Sequence, residues 1–183
     1  MDAIADVETI QPETSKTYSS SLVNYKIPEI ELLRGDGVLT SFESDINDGR
    51  PVILNFIYTS CAAICPLSSN IMRKVQTSLG EQFKDVHMTS ISIDPEFDTP
   101  EKLMEYSKKF HAEKNWQFYT GKVKAIKSLQ TAFNAYRGDK MNHSSTFFLR
   151  LSPNDHWLRI DGFASADELI QELKRLTIAN KSL

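Results

Sequence analysis

Residues 51–72 read PVILNFIYTSCAAICPLSSNIM, and the fold turns on where this stretch changes character. VILNFIY (52–58) is apolar on both sides, as a central strand covered on both faces requires. It stops at two cysteines, Cys61 and Cys65, and Pro66 follows at once. Beyond the proline, Leu67, Ile71, Val75 and Leu79 recur at helical spacing and Gly80 closes the helix. A buried strand feeding a helix is the unit of an α/β sheet. The cysteine pair sits at the carboxyl end of that strand, the end at which open α/β sheets bind ligands.

Outward from this unit the pattern continues. On the amino-terminal side, IPEIELL and VLTSF flank RGDG, which predicts a hairpin turning at Gly35 and Gly37. On the carboxyl side, VHMTSISID (86–94) is a second strand, with Val86, Met88, Ser90 and Ser92 on one face. Thr99 and Pro100 open a helix that runs to about Phe110. WQFYTG is a short strand and VKAIKSLQTAFNAY an amphipathic helix. STFFLRLS and HWLRIDG pair around Pro153-Asn154-Asp155, and DELIQELKRLTIA ends the chain as a helix with Ser165 as its N-cap. The sequence therefore predicts an α/β fold: a mixed β-sheet flanked by helices, with an added N-terminal hairpin. Residues 1–22 carry Asp2, Asp6, Glu8 and Glu13 against one lysine, Lys16, and read as a flexible tail or tether. Residues 23–183 form the single folded domain.

Composition narrows the function. With 183 residues, 40% of them apolar, the chain can build a core without a disulfide. A net charge of −3 excludes a strongly basic nucleic-acid binder. No apolar run is long enough to span a bilayer, and the acidic opening MDAIADVETI is not a signal peptide.

Two cysteines do not make a disulfide scaffold, and a bridge across three residues would constrain the unfolded chain only weakly. A structural staple is thus the poorest reading of Cys61 and Cys65; a redox couple and a metal clamp remain. A thiol at a helix start meets the positive end of the macrodipole and unpaired N–H groups, which favour the thiolate. Thiolates serve both jobs. On a helical turn, residues at this spacing share one face, within reach of a disulfide or of one metal ion. Of the four histidines, His87 is expected at a surface or edge, His111 at a helix C-terminus and His156 in solvent after a turn. His143 stands apart, in the loop MNHSS just before a central strand.

The strings FIYTSCAAICP, SISIDPEFDTPEKLMEYSKKF and NHSSTFFLRLSP together resemble the Sco/SenC family of copper-binding proteins, over about residues 24–179. The resemblance implies a thioredoxin-like fold. It also implies a metallochaperone role in assembling the dinuclear copper centre of cytochrome c oxidase, from a membrane tether facing the periplasm or the mitochondrial intermembrane space. By position, Cys61, Cys65 and His143 resemble the family's copper ligands. Two thiolates and an imidazole suit Cu(I), and suit Cu(II) when a weak further ligand completes the set; zinc also accepts these donors. Met141 is a candidate weak ligand, although a packing methionine is the plainer reading. The motif around Asp94, Pro95, Asp98, Thr99 and Pro100 reads as a strand-ending loop in which Thr99 or Asp98 caps the next helix. Ala62 and Ala63 depart from the family's proline and acidic residue, and Asn142 from its aspartate, so the site carries fewer carboxylates. The implied partners are cytochrome c oxidase subunit II or another copper chaperone, and a monomer is expected. The competing function is an enzyme, a thiol–disulfide oxidoreductase with Cys61 and Cys65 as its couple. A thiol peroxidase is a third reading that no particular residue supports.

Overall fold

The computed structural model describes residues 16–180. Its strands are β1 Tyr18–Val23, β2 Glu31–Arg34, β3 Leu39–Ser41, β4 Val52–Ile57, β5 His87–Ser92, β6 Trp116–Thr120, β7 Thr146–Arg150 and β8 Trp157–Gly162. The helices are α1 Phe42–Ile46, α2 Ile64–Ser78, α3 Pro100–Lys109, α4 Val123–Ala132 and α5 Ala166–Asn180. All eight strands join one sheet in the order β1-β8-β7-β4-β5-β6-β2-β3. Strands β4, β5 and β6 are parallel; β7 runs antiparallel to β4, and the remaining pairings are antiparallel. Among the described residues no helix is long and apolar enough to cross a membrane.

The central strand alternates between two cores. Ile53 and Ile57 pack on one side with Met72 and Val75 of α2, Leu103 of α3 and Leu169 of α5. Val52, Leu54 and Phe56 pack on the other with Phe42 of α1 and Ile126 and Leu129 of α4. Every residue of β4 is buried, as the unbroken apolar run requires. Asn55, its one polar residue, accepts from Ser90 Oγ at 2.7 Å, and Ser90 Oγ accepts from Trp116 Nε1 at 3.0 Å. That chain of bonds crosses three adjacent strands. Local signals set the helix starts. Thr99 caps α3 by accepting from Lys102 N, with Pro100 in the first turn. Ser165 and Glu168 form a reciprocal capping box at α5, with bonds of 3.3 and 2.7 Å.

Three expectations are corrected. Residues 18–22 are not tail: they lie in β1, which pairs along its whole length with β8. Backbone bonding to a neighbour holds an edge strand whatever its side chains, so YSSSLV needs no apolar face. Residues 1–15 of that expected tail lie outside the described residues. The buried stripe of α2 is Cys65, Ser68, Ser69, Met72 and Val75, while Leu67 is exposed. The two serines tolerate burial because Ser69 Oγ bonds Tyr106 Oη at 2.8 Å and Ser68 Oγ bonds Ser145 Oγ at 3.2 Å.

The third correction is His87, which is 3% exposed rather than at a surface. It begins β5, and β5 lies between β4 and β6, so both faces and both edges of the strand are covered. Burial, with the Arg50 charge next, holds its imidazole below the ordinary pKa. The fold thus penalises the proton that the unfolded chain accepts near about pH 6.5. This contribution to stability is complete above that pH and is lost as pH falls toward the folded-state pKa. Thermal midpoints should therefore drop between pH 7 and pH 5, and His87→Gln should flatten the drop. An unchanged pH slope in the variant would rule His87 out as its source.

Candidate metal centre

The chain leaves β4 through Tyr58 and Thr59, and a buried carboxylate holds it there. Asp98, fully buried, accepts from Thr59 N at 3.0 Å, from the Thr59 hydroxyl and from Ser92 Oγ at 2.6 Å. The Cys61 N–H then donates to the Tyr58 carbonyl at 3.2 Å, forming the turn that presents Cys61. Helix α2 has no side-chain cap at Ala63. Its free Cys65 N–H points instead at Cys61 Sγ, 3.4 Å away. Only Cys65 lies within the helix, so the expected helical-turn geometry is replaced by one in which the first thiol caps the turn carrying the second.

The two thiols are unequal. Cys61 is half-buried and Cys65 is fully buried; both are free. For Cys61, burial opposes ionisation, but the N–H groups of Cys65 and Ala63 and the Cys65 and Tyr58 side chains outweigh it and lower the pKa. For Cys65, burial dominates and the Cys61 sulfur adds to it, so its pKa is strongly raised. The Tyr58 hydroxyl is pushed up to about 12, chiefly by burial, with the Cys61 side chain adding to it. It is a donor at neutral pH. Iodoacetamide should accordingly modify Cys61 first, with a half-point below that of an ordinary thiol, while Cys65 reacts only on unfolding. Mass mapping after a short pulse checks this, and equal labelling of both thiols would contradict the asymmetry.

His143 follows a 3₁₀ turn, Lys140–Asn142, whose Asp139 cap accepts from Met141 N at 2.8 Å. Lys140 pairs with Asp94 at 2.5 Å, fastening this loop to the one that follows β5. The imidazole stands edge-on to Tyr58, with ring centroids 6.3 Å apart. Burial lowers its pKa, against a hydrogen bond to the Phe56 backbone. Met141 is 74% exposed, which excludes the packing role; its sulfur accepts from Tyr58 Oη at 3.8 Å. Among the described residues no three His, Cys, Asp or Glu side chains converge as metal ligands would. The structure therefore brings the two thiols together and leaves His143 beside Tyr58, outside any converged set of three ligands. His156 is exposed and His111 directly follows the C-cap of α3, as expected of each, and His87 is at the far end of β5.

Sequence reasoning missed Asp98 and Tyr58. Thr99 alone caps α3, so Asp98 is free to hold the cysteine loop. The signal for Tyr58 was its place between a buried strand and Cys61.

A family model described as SCO1/SenC matches residues 29–178. The chain belongs to that family. It is 31% identical over 135 residues to the SCO1 protein homolog of Bacillus subtilis, covering 69% of each chain. Among solved structures it is similar to BsSco, described as a member of the Sco family of cytochrome c oxidase assembly proteins with a disulfide switch. The TM-score is 0.70 and the identity 28%, over 84% of this chain and 94% of that one. It is also similar to Arabidopsis thaliana ScoI with copper bound, at TM-score 0.63 and 26% identity, over 84% and 97%. The mixed sheet of this SCO1/SenC chain is thus the thioredoxin-like fold expected of it.

Proposed function

We propose that this SCO1/SenC protein is a metallochaperone that carries copper on Cys61, Cys65 and His143 for assembly of cytochrome c oxidase. The observation that carries the reading is the pair of free thiols at the start of α2, with Cys61 bonded to the Cys65 N–H and one loop imidazole beside Tyr58. Soft thiolates select Cu(I), and a nitrogen donor supports Cu(II). The copper-bound Arabidopsis relative and the oxidase-assembly description of BsSco support the cargo and its destination. In this reading the recipient is oxidase subunit II or another copper chaperone. The protein works on the periplasmic side, or in the mitochondrial intermembrane space, from a membrane tether.

The test is an anaerobic copper titration of the reduced protein against a competing chelator. One Cu(I) per chain is expected. Cys61→Ser or Cys65→Ser should weaken it by more than about a hundredfold, beyond what groups behind a ligand usually cost. His143→Ala should weaken Cu(II) more than Cu(I), because two thiolates alone hold Cu(I). If His143→Ala unfolds the domain yet leaves both affinities intact, the imidazole is structural. Unchanged affinity in both cysteine variants would overturn the site.

A second reading, thiol–disulfide exchange with a partner's cysteines, is favoured by the lowered pKa of Cys61. The two roles are compatible.

A further inference from the structure

We propose that Met141 is a further copper-handling residue: its thioether, standing in solvent beside the Tyr58 hydroxyl, takes Cu(I) on its way to and from the cysteine pair. The role rests on the copper-cargo reading above and adds to it a soft donor outside the three ligands named there.

Three observations converge on this side chain. Met141 is 74% exposed, more than any other large apolar residue among those described. A single exposed apolar side chain is ordinary, so exposure only removes packing as the explanation. The backbone beneath it, by contrast, is pinned. Asp139 accepts from Met141 N at 2.8 Å, the His143 N–H donates to the Lys140 carbonyl at 3.1 Å, and Lys140 pairs with Asp94 on the loop after β5. A solvent-facing sulfur is thus carried on a fixed turn, two residues before His143. The third observation is the partner of that sulfur. Tyr58 Oη donates to Met141 Sδ at 3.8 Å, a bond in which the thioether is a weak acceptor. The same Tyr58 side chain acts on the Cys61 thiol, favouring its thiolate, and its ring meets the His143 imidazole edge-on. One phenol therefore has the thioether, the first thiol and the imidazole as neighbours.

The chemistry of the sulfur assigns the step. A thioether is a soft, uncharged donor that suits Cu(I) and has no proton to lose. A thiol sheds its proton as it binds, and Cys65 must do so while fully buried. Met141 Sδ, released from the Tyr58 hydroxyl, holds an arriving ion until the thiolates form. The Sδ–Cu bond then breaks as the Sγ–Cu bonds form, the thiol protons pass to solvent, and copper remains Cu(I). Departure reverses the order. The unbranched side chain has the rotational freedom this needs. One neutral sulfur competes poorly with two thiolates, so Met141 governs the rate of exchange more than the final affinity.

The experiment reads the reduced full chain twice, without oxygen. Its methionines carry 13C-labelled methyl groups, and Ag(I) serves as a redox-inert soft cation. The Met141 methyl resonance should move as the ion binds, while that of Met104, 38% exposed on α3, stays in place as the internal control. Stopped-flow transfer of Cu(I) from the protein to a chelator should slow about tenfold in Met141→Leu, a barrier raised by about 1.4 kcal/mol. Leucine keeps the apolar bulk and removes the sulfur, and equilibrium affinity should fall by less than the rate. An unmoved Met141 methyl with the ion bound, or a wild-type transfer rate in Met141→Leu, would overturn the role of Met141 alone. If Cys61→Ser and Cys65→Ser bind the ion as the wild type does, the copper-cargo reading fails and this role falls with it.

Discussion

Asp98→Ala is expected to destabilise the domain by about 3 kcal/mol or more, and to disorganise the thiol pair as it does so. The carboxylate is fully buried and accepts from three donors: the Thr59 N–H, the Thr59 hydroxyl and the Ser92 hydroxyl. Alanine removes every acceptor and leaves one N–H and two hydroxyls without their partner. Each unmet buried donor costs about 1–3 kcal/mol. Relaxation of the half-buried Thr59 would recover part of the loss, so the sum of three penalties is not expected. Urea unfolding measures the effect directly. Asp98→Asn separates architecture from chemistry. Its amide oxygen can still accept from one side while its NH2 meets a donor on the other, so the fold should survive at lower cost. The Thr59 anchor, two residues before Cys61, should nevertheless slacken. The Cys61 sulfur would then lose its alignment with the Cys65 N–H, and its alkylation half-point should rise toward that of an ordinary thiol. An Asn variant with wild-type thiol reactivity would confine Asp98 to a packing role. Wild-type stability in Asp98→Ala would dismiss the anchor altogether.

That anchor also shows where the sequence stops being legible. Strand β4 could be read because burial on both faces demands an unbroken apolar run, and α3 because Thr99 and Pro100 act within one turn. Such signals are local. The bond from Thr59 to Asp98 spans 39 positions, and no periodicity records it. His87 was misread for a related reason. In a sheet covered on both faces, alternation of polarity no longer reports exposure: His87, Thr89, Ser90 and Ser92 are all buried in β5. The serines bond into networks at the sheet's centre, and His87 lies beside Arg50. Strand β1 fails in the opposite sense, since an edge strand lives on backbone pairing and can be built around three consecutive serines. At the site, CxxxC announces two thiols. It does not say that the first caps the helix bearing the second, or that His143 stands edge-on to Tyr58.

The same inequality of the thiols predicts a poor general reductase. Attack on a disulfide falls to Cys61, which is the more accessible sulfur and has the lowered pKa. Turnover then requires Cys65 to attack Cys61 within the mixed disulfide. Cys65 is fully buried at the start of α2, and its burial suppresses the thiolate that this second step needs. The intermediate should therefore persist. In the other direction, an outside thiolate attacking Cys61 of the oxidised pair must expel Cys65, a poor leaving group for the same reason. Insulin reduction should be feeble, and a covalent adduct on Cys61 should accumulate and be visible by mass. Copper should suppress even this activity by occupying both sulfurs, and the disulfide form should take up no copper, since its sulfurs lack the charge that the ion requires. A recipient subunit is the wrong substrate for this test, because selective reduction of its cysteines would fit a chaperone and an oxidoreductase alike. An insulin-reduction rate comparable with thioredoxin, with no adduct, would make thiol exchange the primary activity. Full copper loading of the disulfide form would remove the thiolates from the metal site.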